Sequence, residues 1–153
     1  MYDYESLLRE KSKHWWSAYP PADLAQIQLV VDWFNGRLPS EYTDFFYFSN
    51  GAYAEFPVDP WCCELFKIEE LIQANQEYGI MEVYPNNIAI GSSGGGEIIV
   101  LQVGILPNKV EALSAIYNRD GTDEFLFIAN SFLEFSQMLG EKGEEEWKSI
   151  LTI

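Results

Sequence analysis

Apolar residues recur every three or four positions in the first half of the chain, a spacing that predicts α-helices with one buried face. The first predicted helix covers residues 22–34 and ends at Asn35-Gly36, a pair typical of helix C-termini. Asp23 stands in its first turn, where a carboxylate is favoured by the helix dipole. The apolar stripe of this helix consists of Leu24, Ile27, Val31 and Phe34.

Two further helices are predicted before residue 80. The second begins at Leu38-Pro39, because proline suits a first helical turn that needs no amide donor, and it ends at Asn50-Gly51. The third covers residues 68–78 and stops at Gly79. The positions at helical spacing are Tyr42, Phe45, Phe46 and Ser49 in the second helix, and Ile68, Leu71, Ile72 and Asn75 in the third.

The middle of the chain changes to short runs rich in β-branched residues, which predict strands at residues 88–90, 98–103, 110–117 and 125–128. After them, a capping box that begins at Ser131 predicts a helix ending at Gly140, and a terminal helix is predicted around Trp147. Helices at both ends with consecutive strands between them indicate an α+β domain. Its central, mostly antiparallel sheet is expected to be flanked by the N-terminal and C-terminal helices.

The glycine-rich stretch GSSGGGE, residues 91–97, lies between two predicted strands and matches two chemical motifs. It fits G-x-S-x-G, the nucleophile elbow of hydrolases, and the glycine spacing that opens a phosphate-binding loop. Both motifs need a helix after the glycines, whereas EIIVLQV predicts a strand, and Glu97 would repel a phosphate. We therefore expect a hairpin turn in which Gly94, Gly95 and Gly96 supply positive φ angles or a bulge.

A catalytic triad built on Ser93 would also need a histidine, and the chain has only one, His14. His14 stands near the N-terminus, poorly placed to reach a central loop, and its neighbours supply no further metal ligands. Asp120, Asp123 and Glu124 lack the order of a calcium-binding loop. The sequence therefore predicts no catalytic residue, no metal site and no cofactor.

Length and composition fit one globular domain over residues 1–153, because 48% hydrophobic and 16% aromatic residues suffice for a packed core. The net charge of -15 would repel nucleic acids and anionic membranes. On charge alone, a basic partner and a surface that only keeps the protein in solution are equally compatible with it. Neither a signal peptide nor a membrane-spanning run is recognisable, so a cytoplasmic protein is expected. Adjacent Cys62 and Cys63 are expected to be reduced thiols. The oligomeric state is not predicted.

Three segments in order resemble the SUKH superfamily, which includes the yeast cell-wall-assembly regulator domain and many bacterial immunity proteins. They are LPSEYTDFFYFSNG, IAIGSSGGGEIIVLQ and IANSFLEFSQML, and the resemblance spans roughly residues 20–140. The segment from Tyr53 to Glu64 follows no recognisable pattern. The matching residues are Leu38, Pro39, Tyr42, Phe45, Asn50, Gly51, Gly91, Gly95, Gly96, Ala129, Ser131, Phe132, Glu134 and Phe135.

The resemblance implies binding without catalysis, because bacterial members typically neutralise a cognate toxin, often a nuclease, encoded beside them. An acidic surface suits this role, since nuclease active sites are basic. Partner contacts are expected where carboxylates and aromatic residues alternate, although each aromatic residue is equally compatible with a place in the core. The expected contact residues are Glu55, Phe56, Asp59, Trp61, Glu64, Glu77, Glu82 and Tyr84.

Two other functions stay open on sequence alone. A regulatory scaffold of the yeast-regulator type would bind several cellular partners instead of one toxin. A small hydrolase would use Ser93 as its nucleophile, and this alternative depends on the only candidate catalytic residues of the chain, Ser93 and His14.

Overall fold

Among the residues that the structure describes, seven antiparallel strands form one sheet in which spatial order follows chain order. The computed structural model describes residues 2–8 and 16–141, so His14 and the helix predicted around Trp147 lie outside the described residues. The α+β class with a central sheet is confirmed, and every described strand pair is antiparallel. The strands are β1 (Trp16–Ala18), β2 (Ala52–Glu55), β3 (Cys62–Leu65), β4 (Asn87–Ser92), β5 (Glu97–Gln102), β6 (Val110–Ser114) and β7 (Leu126–Ala129).

The helices precede, interrupt and follow the sheet. They are α1 (residues 4–8), α2 (Leu24–Trp33), α3 (Ser40–Thr43), α4 (Ile68–Tyr78), α5 (Ile80–Val83) and α6 (Phe132–Met138). A 3₁₀ turn, Asp44–Tyr47, continues α3. The helix predicted over residues 68–78 is found with those bounds, and Gly79 ends it at a φ of 65°. No helix among these described residues is long and apolar enough to cross a membrane.

The start of α2 differs from the sequence prediction. Asp23 is the N-cap residue, and its carboxylate accepts a hydrogen bond from the amide of Ala25 at 3.2 Å. Leu24 is therefore the first helical residue and points away from the core, with 63% of its surface exposed. Val30 and Ile27 are the buried residues of α2, whereas Val31 of the predicted stripe is only partly buried.

The main core lies on one face of the sheet and is organised around aromatic rings. The Phe132 ring lies 5.0 Å from Tyr42 and 5.4 Å from Phe45, measured between centroids, and both contacts are edge-to-face. The Tyr4 ring lies 6.3 Å from the same side chain. Edge-to-face pairs of this kind add to the stabilisation that burial provides. One residue of α6 thereby connects α1, α3 and the 3₁₀ turn.

A smaller core covers only part of the opposite face of the sheet. Ile98 and Val100 of β5 pack there under Ile80 of α5 and under Tyr117, which follows β6. Tyr117 is fixed by a hydrogen bond of 2.7 Å that its hydroxyl donates to the carbonyl of Tyr78. This cover reaches β4, β5 and β6, and the described helices leave the corresponding face of β2 and β3 open. We call that open surface the outer face of β2 and β3.

Candidate functional site

The outer face of β2 and β3 presents polar and aromatic side chains because small residues point inward. Ala52 and Ala54 of β2 and Cys63 and Leu65 of β3 are buried. The intervening side chains point outward, since neighbours along a strand alternate between the two faces. In the antiparallel register Tyr53 lies opposite Glu64, and Glu55 lies opposite Cys62.

Phe56 does not belong to this surface, contrary to the sequence prediction. It continues the inward alternation of Ala52 and Ala54, and none of its surface is exposed. Its ring lies 5.4 Å from that of Phe135 in an edge-to-face contact. The aromatic side chain is therefore part of the main core and has no surface to offer to a partner.

The loop between β2 and β3 does present the other two residues predicted in it. Asp59 is exposed, and Trp61 has 44% of its surface exposed. Trp61 adopts a φ of 75°, the left-handed region, and its amide donates a hydrogen bond of 2.8 Å to the carbonyl of Val58. The amide of Phe56 donates to the carbonyl of Trp61 at 3.1 Å, which closes the loop at its base.

The exposed aromatic residue that sequence reasoning missed is Tyr53, with 50% of its surface exposed. A hydrogen bond with the Cys62 thiol raises the pKa of Tyr53, and the carboxylates of Glu55 and Glu64 raise it further. The phenol therefore stays protonated, with its single proton shared with the Cys62 sulfur and its ring exposed beside two carboxylates. The alternation in Ala52-Tyr53-Ala54-Glu55, small inside and large outside, is the signal that could have identified this residue.

The remaining predicted contact residues, Glu77, Glu82 and Tyr84, do not lie on β2, on β3 or on the loop between them. Glu77 lies on α4 and is exposed, and its Oε1 accepts a hydrogen bond of 2.8 Å from Gln73. Glu82 lies on α5, where its carboxylate and the guanidinium of Arg119 both approach Gly79: a Cβ built there would lie 3.7 Å from Glu82 Oε2 and 3.2 Å from Arg119 Nη1. The negative charge of Glu82 is thus partly balanced within the chain.

The hydroxyl of Tyr84 is engaged in hydrogen bonds within the chain. Its hydroxyl donates to Asp123 Oδ2 at 2.8 Å and accepts a hydrogen bond of 2.8 Å from the amide of Asp123. Loss of solvation, the largest cause, and the hydrogen bond to Asp123 raise the pKa of Tyr84. The ring lies 4.9 Å from Phe125 and packs against the smaller core. Of these three remaining contact residues, only Glu77 combines an exposed carboxylate with surroundings that contain no described basic residue.

The glycine loop is a hairpin turn organised by Ser93. The Ser93 hydroxyl accepts hydrogen bonds from the amides of Gly95 at 3.0 Å and Glu97 at 3.1 Å, and donates to Glu97 Oε2 at 2.5 Å. Gly94 and Gly96 take positive φ angles of 74° and 105°, as expected, and Gly95 does not. A strand follows the loop, so Ser93 lacks the helix of a nucleophile elbow.

Two glycines of the SUKH-like segments are required by close backbone contacts. A Cβ on Gly51, whose φ is 87°, would lie 2.7 Å from the carbonyl oxygen of Leu65. Gly91 lies within β4 instead of in the turn, and a Cβ there would lie 2.7 Å from the carbonyl oxygen of Glu64. Both glycines therefore allow β3 to lie directly against its neighbours.

The remaining motif residues begin helices or fill the core. Asn50 caps α4 by accepting a hydrogen bond of 2.7 Å from the amide of Ile68. Pro39 is the N-cap residue of α3, and Leu38, Phe132 and Phe135 are buried. The segments that resemble the superfamily thus hold the sheet and helices together, and they lie outside the outer face of β2 and β3.

The acidic side chains do not assemble a metal site within the part of the chain that the structure describes. No group of three or more His, Cys, Asp or Glu residues is arranged to hold an ion there. Asp120 accepts hydrogen bonds from the amide and the hydroxyl of Thr122, the main causes that lower the pKa of Asp120. The arrangement at the outer face of β2 and β3 is suited to hydrogen bonding and ion pairing with another molecule.

Comparison with known proteins identifies the family of the chain. No curated protein matches the sequence at a significant level. The sequence matches the SMI1/KNR4 family (SUKH-1) over residues 21–138. This range contains β2 to β7 and α2 to α6, and β1 precedes it. The match also includes the three segments that suggested the superfamily, except Leu139 at the end of the third. This chain therefore belongs to the SMI1/KNR4 family (SUKH-1).

Proposed function

We propose that this chain is a bacterial immunity protein that binds and neutralises a cognate, basic toxin of the nuclease type. The observation that carries the proposal is the outer face of β2 and β3, a sheet surface that the described elements leave open and that bears carboxylates and aromatic rings, in a SUKH-1 protein. The proposed contact residues on this face and on the loop between β2 and β3 are Tyr53, Glu55, Asp59, Trp61 and Glu64.

The charge of the molecule supports a basic partner. The chain carries 24 acidic and nine basic residues, and an excess of this size steers cationic proteins towards the surface. Glu55, Asp59 and Glu64 supply hydrogen-bond acceptors that pair with arginine or lysine. Because a nuclease active site binds phosphates, such an acidic face competes with the substrate for the same basic residues. Binding alone achieves inhibition, and the proposal assigns no catalysis and no cofactor to this protein.

Trp61 and Tyr53 are proposed as the anchors of the interface. Large aromatic residues carry a disproportionate share of binding energy in protein complexes, especially beside polar groups that fix the orientation. Both rings are about half-exposed, Tyr53 at 50% and Trp61 at 44%, so each retains surface that a partner can bury. The Tyr53 hydroxyl oxygen adds a hydrogen-bond acceptor near the carboxylates.

The proposal is tested with the toxin encoded by the neighbouring reading frame, expressed in cells with and without this protein. We expect survival only in its presence, together with a purified complex of the two proteins. Trp61→Ala should raise the Kd of that complex about thirtyfold, equivalent to about 2 kcal/mol. Ile116→Ala is the matched control, because Ile116 is 91% exposed and lies outside the proposed surface. Absence of both rescue and complex formation contradicts the immunity function.

A regulatory scaffold of the cell-wall-regulator type is the second candidate, supported by the same family match. A scaffold is expected to bind several cellular proteins with moderate affinity, whereas an immunity protein binds one toxin tightly. Affinity measurements with the neighbouring toxin and with proteins retained from cell extracts distinguish the two functions.

A further inference from the structure

We infer that a groove beside α4 receives an arginine side chain of the partner protein, an inference that rests on the proposed function. The groove has a volume of about 320 Å³ and lies between the end of β3 and α4. Phe66 and Tyr78 line it together with Glu70, Gln73 and Glu77. We call it the α4 groove.

The aromatic residues give the α4 groove surfaces on which a planar cation can stack. The rings of Phe66 and Tyr78 have centroids 6.5 Å apart, and their planes are within 24° of parallel. Both side chains are half-buried, so the rings are held by packing and still border the groove. Guanidinium groups stack on aromatic rings more readily than ammonium groups do, because they are planar and more weakly hydrated.

The carboxylates of the α4 groove are oriented but have unused acceptor capacity. Glu70 Oε1 accepts a hydrogen bond of 2.9 Å from the amide of Lys67, and Glu77 Oε1 accepts one from Gln73. The described contacts supply no donor to the second oxygen of either carboxylate. Held carboxylates lose little conformational freedom on binding, which lowers the entropic cost of association.

A second groove, of about 480 Å³, lies on the other side of Glu69 and Glu70. Unlike the described lining of the α4 groove, it includes a basic residue. Lys67 lines that second groove, and its ammonium lies 5.1 Å from the centre of the Tyr19 ring. There the chain itself supplies a cation to an aromatic ring beside carboxylates. The α4 groove has the same two components, and none of the described residues that line it is basic. A cation from another molecule is the complementary occupant.

The position of the α4 groove allows one partner to contact it and the proposed interface together. Phe66 follows β3 and extends its ladder, because its amide donates a hydrogen bond of 2.9 Å to the carbonyl of Ile90. Glu64 and Phe66 are two residues apart and point to the same side of the sheet. The α4 groove therefore opens where the outer face of β2 and β3 ends.

The first experiment uses the blocked peptide acetyl-Gly-Arg-Gly-amide and amide chemical shifts of the full chain. We expect saturable shifts at residues 73–78, binding at least about threefold weaker with lysine in place of arginine, and none with the uncharged isostere citrulline. Glu77→Gln should weaken binding of the arginine peptide by at least about threefold. Glu124→Gln, an exposed charge change outside the groove, should leave it unchanged. Equal effects of the two variants, or shifts spread over all acidic residues, overturn the inference.

A second measurement separates this inference from the proposed function. In the complex with the neighbouring toxin, Phe66→Leu and Glu77→Gln should each raise the Kd about tenfold, and Glu124→Gln should not change it. Rescue by the protein with an unchanged Kd in both groove variants refutes the α4 groove and leaves the immunity function standing. Selective binding of the arginine peptide without any rescue supports the groove and removes the immunity function.

Discussion

Glu111 shows how burial changes the behaviour of a single acidic residue. It lies on β6, between Val100 of β5 and Phe127 of β7 in the sheet register. Loss of solvation raises the pKa of its carboxyl, and the nearby charge of Lys109 lowers that pKa in part. The ionised carboxylate is therefore less favourable here than in the unfolded chain, where solvation is complete.

Replacement of Glu111 by Gln should raise the thermal unfolding midpoint at pH 7 and lose this effect in acid. A carboxyl whose folded pKa is raised contributes stability below its unfolded pKa, and this contribution is lost as pH rises through the folded pKa. The advantage of glutamine should therefore disappear below about pH 4, where both states are protonated. Thermal unfolding from pH 3 to pH 8 measures the effect, and exposed Glu124→Gln is the charge-matched control. An equal gain in both variants would show that overall charge repulsion, not burial of Glu111, is responsible.

At the scale of the elements, the pairing of β3 with β4 requires their backbones to lie close together with no side chain between them. Gly91 provides that contact opposite Leu65, at a point where the pairing of β4 with β5 is also irregular. A Cβ on Gly91 would lie 2.7 Å from the carbonyl oxygen of Glu64 and 3.2 Å from Cys63 Sγ. The first of these neighbours is backbone, so relief of the clash requires the strands to separate.

Gly91→Ala should destabilise the protein by about 2 kcal/mol, the usual cost of inserting a methyl group into a filled site. Gly95→Ala is the matched control, because the added Cβ would meet Glu97 and Ser93 at ordinary distances of 3.6 and 3.7 Å. Its effect should stay within about 0.5 kcal/mol. Urea unfolding of the two variants measures the difference. A similar loss in both would mean that turn flexibility, and not the contact of β3 with β4, limits stability.

The elements also show which structures the sequence predicts and which it does not. Helix α4 is predictable because its periodic apolar residues end at Gly79. Strands β4 and β5 are predictable because they are short buried runs rich in isoleucine and valine. Strands β2 and β3 were not predicted, since their buried positions hold mainly alanine and cysteine, which carry little strand signal.

The sequence identified some residues of the candidate surface, but it did not show which of them are exposed. Glu64 and Trp61, two of the proposed contact residues, are exposed. Phe56 was misplaced because its inward direction follows from β2, which the sequence did not predict. The Tyr84 hydroxyl is hydrogen-bonded to Asp123, which is 39 residues away in the chain and comes close only through folding.

At the scale of the whole molecule, the described elements cover the sheet unequally, and the proposed interface lies where they leave it open. Helix α5 and the segment after β6 cover the outer side of β4 to β6 with a second core. The same side of β2 and β3 has no such cover from the described elements and carries carboxylates. In the proposed complex, the overall charge would attract a basic protein from any direction, and this open area would fix where it docks.

The association rate constant with the neighbouring toxin should therefore fall steeply as the salt concentration rises. A charge on the proposed docking surface should affect this rate constant more than an equal charge elsewhere. The screening length falls from about 10 Å at 0.1 M salt to about 3 Å at 1 M, which removes long-range attraction. Glu64→Gln and Glu124→Gln change the net charge equally, and both residues are exposed. Only Glu64→Gln should lower the association rate constant several-fold and flatten its dependence on ionic strength. Stopped-flow measurements over this salt range test the prediction; identical slopes for both variants would place the docking surface away from the outer face of β2 and β3.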